Sequence, residues 1–314
     1  MSKNLESQEN NSFQKQTNFS DDDMLWRILW EQKLTIIVIS FLFAVASIFY
    51  ALSKPDVYRA SSILAPVSSE SSAGGLASLA GKFGGLASMA GINLGGGGGD
   101  NTALAIEIIR SRSFIESFIE KHELLVPLIA AEKWDITSDT LVYDSELYDE
   151  KTQKWVREVS PPKKTIPSSW EGYKEFLGLL TVSQDEKTSM VTIAIEFYSP
   201  KLAKQWLSWL IVDINEFMRI EDKKEAQTSI EFLHKQLDNI KIANMETVFY
   251  QLIEEQTKNM MLAHVKAEYV LKTIDPAQVP EEKAKPKRAI IVVIGTLLGG
   301  ILSILLVLGR YYSK

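Results

Sequence analysis

The chain has no cysteine among its 314 residues, which excludes disulfides, thiol nucleophiles and thiolate metal sites. Its three histidines, His122, His234 and His264, are too far apart in sequence to form a metal-spaced pair. There is no Gly-x-Ser-x-Gly elbow, no Gly-Lys-Ser/Thr phosphate loop and no His-Glu-x-x-His. A net charge of -6 and the lack of a dense basic run exclude a nucleic-acid footprint. Asp139, Asp144, Glu146, Asp149 and Glu150 read as an acidic loop rather than a positioned acid–base pair. The expectation is a non-enzyme without metal or cofactor.

Two segments lack charge altogether, Leu34 to Leu52 and Ala289 to Leu308. At about 1.5 Å per helical residue each reaches roughly 28–30 Å, the thickness of a bilayer core. The reading is a two-span membrane protein: tail 1–33, span 34–52, domain 53–288, span 289–308 and tail 309–314. Asp21-Asp22-Asp23 and the length of the first apolar run favour an uncleaved anchor over a signal peptide. Neither span holds an Asp, Glu, Lys, Arg or His, so a transporter or proton path is not indicated. Flanking charges are nearly balanced (Arg27 and Lys33 against Lys54 and Arg59), so they leave the orientation open. The cysteine-free domain fits an oxidising compartment such as a bacterial periplasm. Gly295, Gly299 and Ser303 form a small-residue ladder, and Ser40 with Ala44, then Ser47 with Ala51, offer flat faces for packing.

Residues 1–19 are polar and low in complexity, and a short helix carrying Trp26 and Trp30 follows a cap at Ser20 or Asp21. Val57 to Leu64 has the composition of a strand. Residues 74–99 form a Gly-rich insertion in which GGLASLAG recurs as GGLASMAG. It reads either as a mobile linker or as a small apolar surface of Leu76, Leu79, Phe83, Leu86 and Met89. Ala103 to Lys121 has helical spacing through Leu104, Ile108, Ile115, Phe118 and Ile119, and residues 135–167 read as a loop. A helix is expected over 170–177, then two strands over 180–182 and 190–197.

Between Lys201 and Asp275 there is neither glycine nor proline, which predicts a long helical region over 201–264. Trp206, Leu210, Ile214 and Phe217 form one stripe; Ile230, Leu233, Leu237 and Ile240 repeat like a helix–helix seam. Glu221 to Glu225 is fully charged and is expected to face water on nearly all sides. A second helix starts near Asn244, and a strand over 269–274 returns the chain towards the second span. A seam of this length needs a partner, so homo-oligomerisation follows as an expectation.

Several segments, in this order, resemble the Wzz-type chain-length determinants, polysaccharide co-polymerases without a kinase domain. They are Leu25-Trp26-Arg27-Ile28-Leu29-Trp30, Tyr58-Arg59-Ala60, Ser111-Arg112-Ser113-Phe114 and Tyr198-Ser199-Pro200-Lys201-Leu202-Ala203. Glu231 to Leu237 and Ile274-Asp275-Pro276-Ala277-Gln278-Val279-Pro280, followed by Lys285-Pro286-Lys287-Arg288, complete the set. The resemblance implies an α+β membrane protein whose two transmembrane helices flank a periplasmic domain, with an α/β base and a long projecting helix. It also implies a homo-oligomer ring in the bacterial inner membrane, working with a Wzy-type polymerase on lipid-linked polysaccharide. The implied role is regulation of O-antigen chain length in lipopolysaccharide biosynthesis. Related two-span chains continue into a tyrosine kinase, which this chain is expected to lack since it stops at Lys314. The alternative is an inner-membrane component of capsule or other surface-polysaccharide export.

Overall fold

The computed structural model describes residue 30 and residues 32–67, 98–237, 243–265 and 268–312. The tail helix before Trp30, the Gly-rich repeat and Ile240 lie outside the described residues. Along the chain the elements are α1 (Lys33–Ser53), β1 (Val57–Pro66), α2 (Gly98–Arg110), α3 (Arg112–Lys121), α4 (Leu125–Ala130), β2 (Ala131–Asp135) and β3 (Thr140–Tyr143). They continue as β4 (Tyr148–Asp149), β5 (Lys154–Trp155), α5 (Ser169–Leu179), β6 (Leu180–Gln184), β7 (Val191–Phe197), α6 (Pro200–Leu237), α7 (Ala243–Val265), β8 (Leu271–Asp275), β9 (Lys283–Lys285) and α8 (Arg288–Tyr312). The chain divides into two compact units: α1 with α8, and the domain Pro55–Lys285. The class is α+β.

In the domain, a five-stranded antiparallel sheet has the path β6-β7-β1-β8, and β9 also pairs with β1. β1 alternates as a half-buried strand should: Ala60, Ser62 and Leu64 point inward, Arg59, Ser61 and Ile63 outward. β7 carries Val191, Ile193, Ile195 and Phe197 on the buried side. The first half of α6 lies against β1 and β7 and buries Trp206, Leu207, Leu210 and Ile214 among them. Trp206 and Phe197 pack with ring centroids 4.3 Å apart, which joins the helix to the sheet through two large apolar surfaces.

The expected helix over 103–121 is two helices. Ser111 leaves helical geometry at ψ 146° and its hydroxyl accepts the Phe114 N–H, so it caps α3. The break resets the buried face: Ala105, Ile106 and Ile109 are inside on α2, while Leu104 stays exposed. The expected loop over 135–167 contains two small hairpins, β2–β3 and β4–β5. Tyr143, Tyr148 and Trp155 stack edge-on across the latter, so aromatic cross-strand packing holds a segment whose acidic composition reads as irregular. The returning strand begins at Leu271 rather than at 269.

α6 has 38 residues, about 57 Å at helical rise. Its charged stretch is not solvated all round: Asp222 is half-buried and accepts a 2.7 Å hydrogen bond from the Tyr269 hydroxyl. Phe217 sits at the rim of the core stripe, edge-on to Phe114 at 5.7 Å.

Candidate functional site

Chemistry-bearing side chains of the domain collect where the base meets the long helix. Asp213 of α6 is buried, yet it receives Lys121 Nζ at 2.7 Å on one oxygen and lies 2.8 Å from His122 Nε2 on the other. The His122 ring stacks on Trp209 at 4.4 Å with the planes 7° apart. This ties the end of α3 to α6 and gives a buried carboxylate the partners it needs.

Two residues further, Asn215 is buried and fully used. Its Oδ1 accepts from the backbone N–H groups of Tyr269, Val270 and Leu271 at 2.9, 2.9 and 3.0 Å. Its Nδ2 donates to the carbonyls of Ile211 and Leu271, each at 3.0 Å. One amide therefore satisfies the turn that leads from the upper helices back into the sheet.

On the other side of the base, Ser168 and Glu171 form a reciprocal cap at the start of α5. Glu171 also takes both guanidinium nitrogens of the buried Arg157 at 2.8 and 2.9 Å. Arg157, with the Ser168 N–H, holds the Glu171 carboxyl down at about 2. Burial pushes Asp222 and Tyr269 above their ordinary ranges. Lys201, bonded to Asp139, draws that carboxyl below its usual value.

A groove of about 900 Å³ opens between α3, α4 and the start of α5. Ile119, Leu125, Val126 and Pro167 give it an apolar floor, and Arg112, Ser113, Glu116, Ser117, Glu120 and Glu123 stand at its rim. α5 approaches closely because Gly172 has no side chain; a Cβ there would stand 3.1 Å from Leu125 Cδ1. Glu123 terminates α3 at φ 54°, the left-handed geometry in which glycine is the usual residue. Beyond the Arg112 end the exposed Trp170 lies 5.1 Å from the guanidinium and 5.4 Å from Tyr173.

Of the seam residues, Leu233 is fully buried against Val248, Phe249, Leu252 and Ile253 of α7. Ile230 and Leu237 are half-buried on the same helix. In the other unit, Gly295 faces Ser47 and Gly299 faces Phe43, with no room for a Cβ, which would fall 2.5 Å from the Cβ atoms opposite. Gly300 approaches Ser40, Ala44 is half-buried, and the buried Ser303 donates to the Gly300 carbonyl at 2.7 Å. Asn215, Asp213, Arg157 and the partner role of Phe43 escaped sequence reading. The only local sign of the first two was a polar residue within the apolar run Leu210 to Ile214 and just after it.

The polypeptide that builds α1, β1, α2 and α3 lies within residues 23–122, which match the family model Wzz, chain length determinant protein. This segment is similar to a Wzz chain length determinant domain. Residues 238–312 match a second model, GNVR, G-rich domain on putative tyrosine kinase. No curated protein sequence is significantly similar to this chain. Among solved structures it is similar to a full-length bacterial polysaccharide co-polymerase, with 14% identity, 92% of this chain and 96% of that one covered, and a TM-score of 0.40. A fragment of WzzB, the polysaccharide co-polymerase from Salmonella Typhimurium, is 13% identical over 74% of this chain and 100% of its own, with a TM-score of 0.33. The match over residues 23–122, rather than these likenesses, carries the similarity to chain length determinants. The Wzz match, with two apolar helices of 21 and 23 residues, supports a membrane protein with a part in polysaccharide chain-length regulation.

Proposed function

We propose that this protein sets the length of lipid-linked O-antigen polysaccharide from the bacterial inner membrane, as a non-enzymatic homo-oligomeric scaffold beside a Wzy-type polymerase. The single observation that carries the reading is the Wzz match over residues 23–122, a region that takes in the first span, the central strand β1 and one wall of the groove. In this reading the domain Pro55–Lys285 lies in the periplasm, and the tails lie in the cytoplasm. The spans pack through Gly295, Gly299 and Ser303 against Ser40, Ala44 and Ser47. α6 rises from the base as a strut, with Ile230, Leu233 and Leu237 in the upper seam. Val212 and Ile220 are exposed apolar residues on the same helix; in this reading neighbouring copies cover them.

Deleting the gene and resolving the surface polysaccharide by gel electrophoresis tests the proposal. Loss of the modal band with continued polymerisation is expected. Complete loss of polymer from the surface would instead assign the chain to export of a capsule or another surface polysaccharide, and an unchanged ladder would reject both.

A further inference from the structure

We propose that the α1–α8 pair, at the end where the chain enters and leaves the domain, binds the phosphates of anionic phospholipids through Lys54, Lys287 and Arg288. The inference rests on the two helices crossing a bilayer and is independent of the chain-length reading. α1 has 21 residues, about 32 Å at helical rise, so its two ends fall at the two headgroup layers of a bilayer whose core is roughly 30 Å thick. Gly295 of α8 lies against Ser47 of α1, and Gly299, one turn on, lies against Phe43, one turn back. The helices therefore run antiparallel, and the same register carried back along α8 brings Arg288 level with Lys54. Lys54 follows the last residue of α1, and Lys287 precedes the first of α8. Three cations thus share one headgroup layer.

Three observations turn this charge towards lipid. The described residues of the helix pair include no Asp or Glu, and among the described residues neither Lys54 nor Lys287 has an ion-pair partner. The domain treats its own lysines differently: Lys283 lies 3.3 Å from an Asp56 oxygen, and Lys285 lies 2.6 Å from one of Glu196. Next, Lys54 Nζ stands 5.1 Å from the Tyr50 ring centroid, and Tyr50 is 57% exposed. The ammonium therefore lies along an open flank of α1, at the depth where tyrosine suits the bilayer interface. Finally, Lys287 and Arg288 stand where α8 begins, and no acidic residue occupies its first turn. Basic side chains there are repelled by the helix dipole, so a lipid phosphate beside them offsets a mismatch that the polypeptide leaves in place. Each basic residue at an anionic membrane surface strengthens lipid association about five-fold.

The test uses the full chain reconstituted in phosphatidylcholine bilayers with a trace of spin-labelled phosphatidylglycerol or spin-labelled phosphatidylcholine. Electron paramagnetic resonance reads the fraction of label immobilised at the protein. The wild type is expected to hold phosphatidylglycerol in several-fold preference, and the preference should shrink in roughly 1 M salt, where the Debye length is about 3 Å. Lys54→Gln with Lys287→Gln should lower it by at least about two-fold. Both side chains are exposed, so the melting temperature should not move. Lys151→Gln with Lys187→Gln removes the same charge from two exposed turns of the domain and should leave the preference intact. Equal retention of the two labels by the wild type, a preference insensitive to salt or to the first pair of substitutions, or an equal fall with the second pair overturns the proposal. The gene-deletion ladder reports separately on the chain-length reading. A lost modal band without lipid selectivity removes only the lipid site, whereas selectivity beside an unchanged ladder removes only the chain-length role.

Discussion

Asn215 and Leu271 form a closed pair: the Asn215 amide donates to the Leu271 carbonyl at 3.0 Å and accepts the Leu271 N–H at 3.0 Å. A side chain in the long helix thus takes the place that a neighbouring strand would occupy beside the start of β8. Replacing it with an apolar isostere leaves three buried backbone N–H groups and a carbonyl without partners. Asn215→Leu is expected to destabilise the domain by at least about 3 kcal/mol. The corresponding drop in melting temperature is roughly 6–12 °C, readable by circular dichroism or differential scanning fluorimetry on the full chain.

Glu171 gives the protein a defined acid response. Its carboxyl sits at about 2 when folded, against 4.5 for the free group. A depressed acid stabilises the fold above its unfolded value, and this contribution is lost as pH falls from about 4.5 towards 2. Glu171→Gln should cost on the order of 2 kcal/mol at pH 7, where it leaves the buried Arg157 without its counter-charge. The difference from wild type should vanish near pH 2. Denaturation midpoints measured across that range check the convergence.

Asp222 has the opposite sign. Burial raises its carboxyl above the ordinary 3.8, so the folded state holds the proton more tightly than the unfolded one. Its contribution to stability is complete below 3.8 and declines as pH rises through the folded value. Asp222→Asn keeps an acceptor for the Tyr269 hydroxyl and removes that decline, so it should be neutral or slightly stabilising at pH 7. Tyr269→Phe should instead cost about 1 kcal/mol. Equal losses from the two substitutions would contradict this assignment.

The two spans leave no room for a side chain at Gly299, whose missing Cβ would meet Phe43 Cβ at 2.5 Å. Gly299→Leu should push α1 and α8 apart and lower the thermal stability of the detergent-solubilised protein. Because the natural chain has no cysteine, the geometry can be read without background. Ser40→Cys with Gly300→Cys should cross-link within one chain under mild oxidation, and the added Gly299→Leu should reduce the yield.

Leu233 is the one fully buried residue of the small cluster that joins α6 to α7. Leu233→Asp places a charge in that seam at a cost of several kcal/mol. Amide exchange over α7 should then accelerate while exchange in β1 and β7 stays slow. Uniform acceleration through the sheet would contradict a seam that is separate from the base.

What could be read in the sequence was whatever is encoded locally. The uncharged runs, the alternation in Val57 to Leu64 and in β7, and the glycine- and proline-free stretch each announce an element within its own residues. The split at Ser111 was harder, because a serine cap ends a helical pattern without the glycine or proline that usually marks a break. Leu104, read onto the buried stripe from uninterrupted spacing, is exposed for that reason. Contacts across long separations gave no local signal. Asn215 meets a turn 54 to 56 residues away, and Asp213 meets His122 91 residues away. The groove likewise needs α3, α4 and α5 together, so no single segment displays it.

The pairing of Val57 with Lys285 places the first and last strands of the domain side by side. A polypeptide clasped at its own beginning and end is a ring in all but covalent terms. Segments inserted between those strands, whether a longer rod or an extra glycine tract, change the contour of the loop without displacing the clasp. Lengthening or trimming α6 and α7 changes the height of the rod while the β1–β9 junction stays as it is.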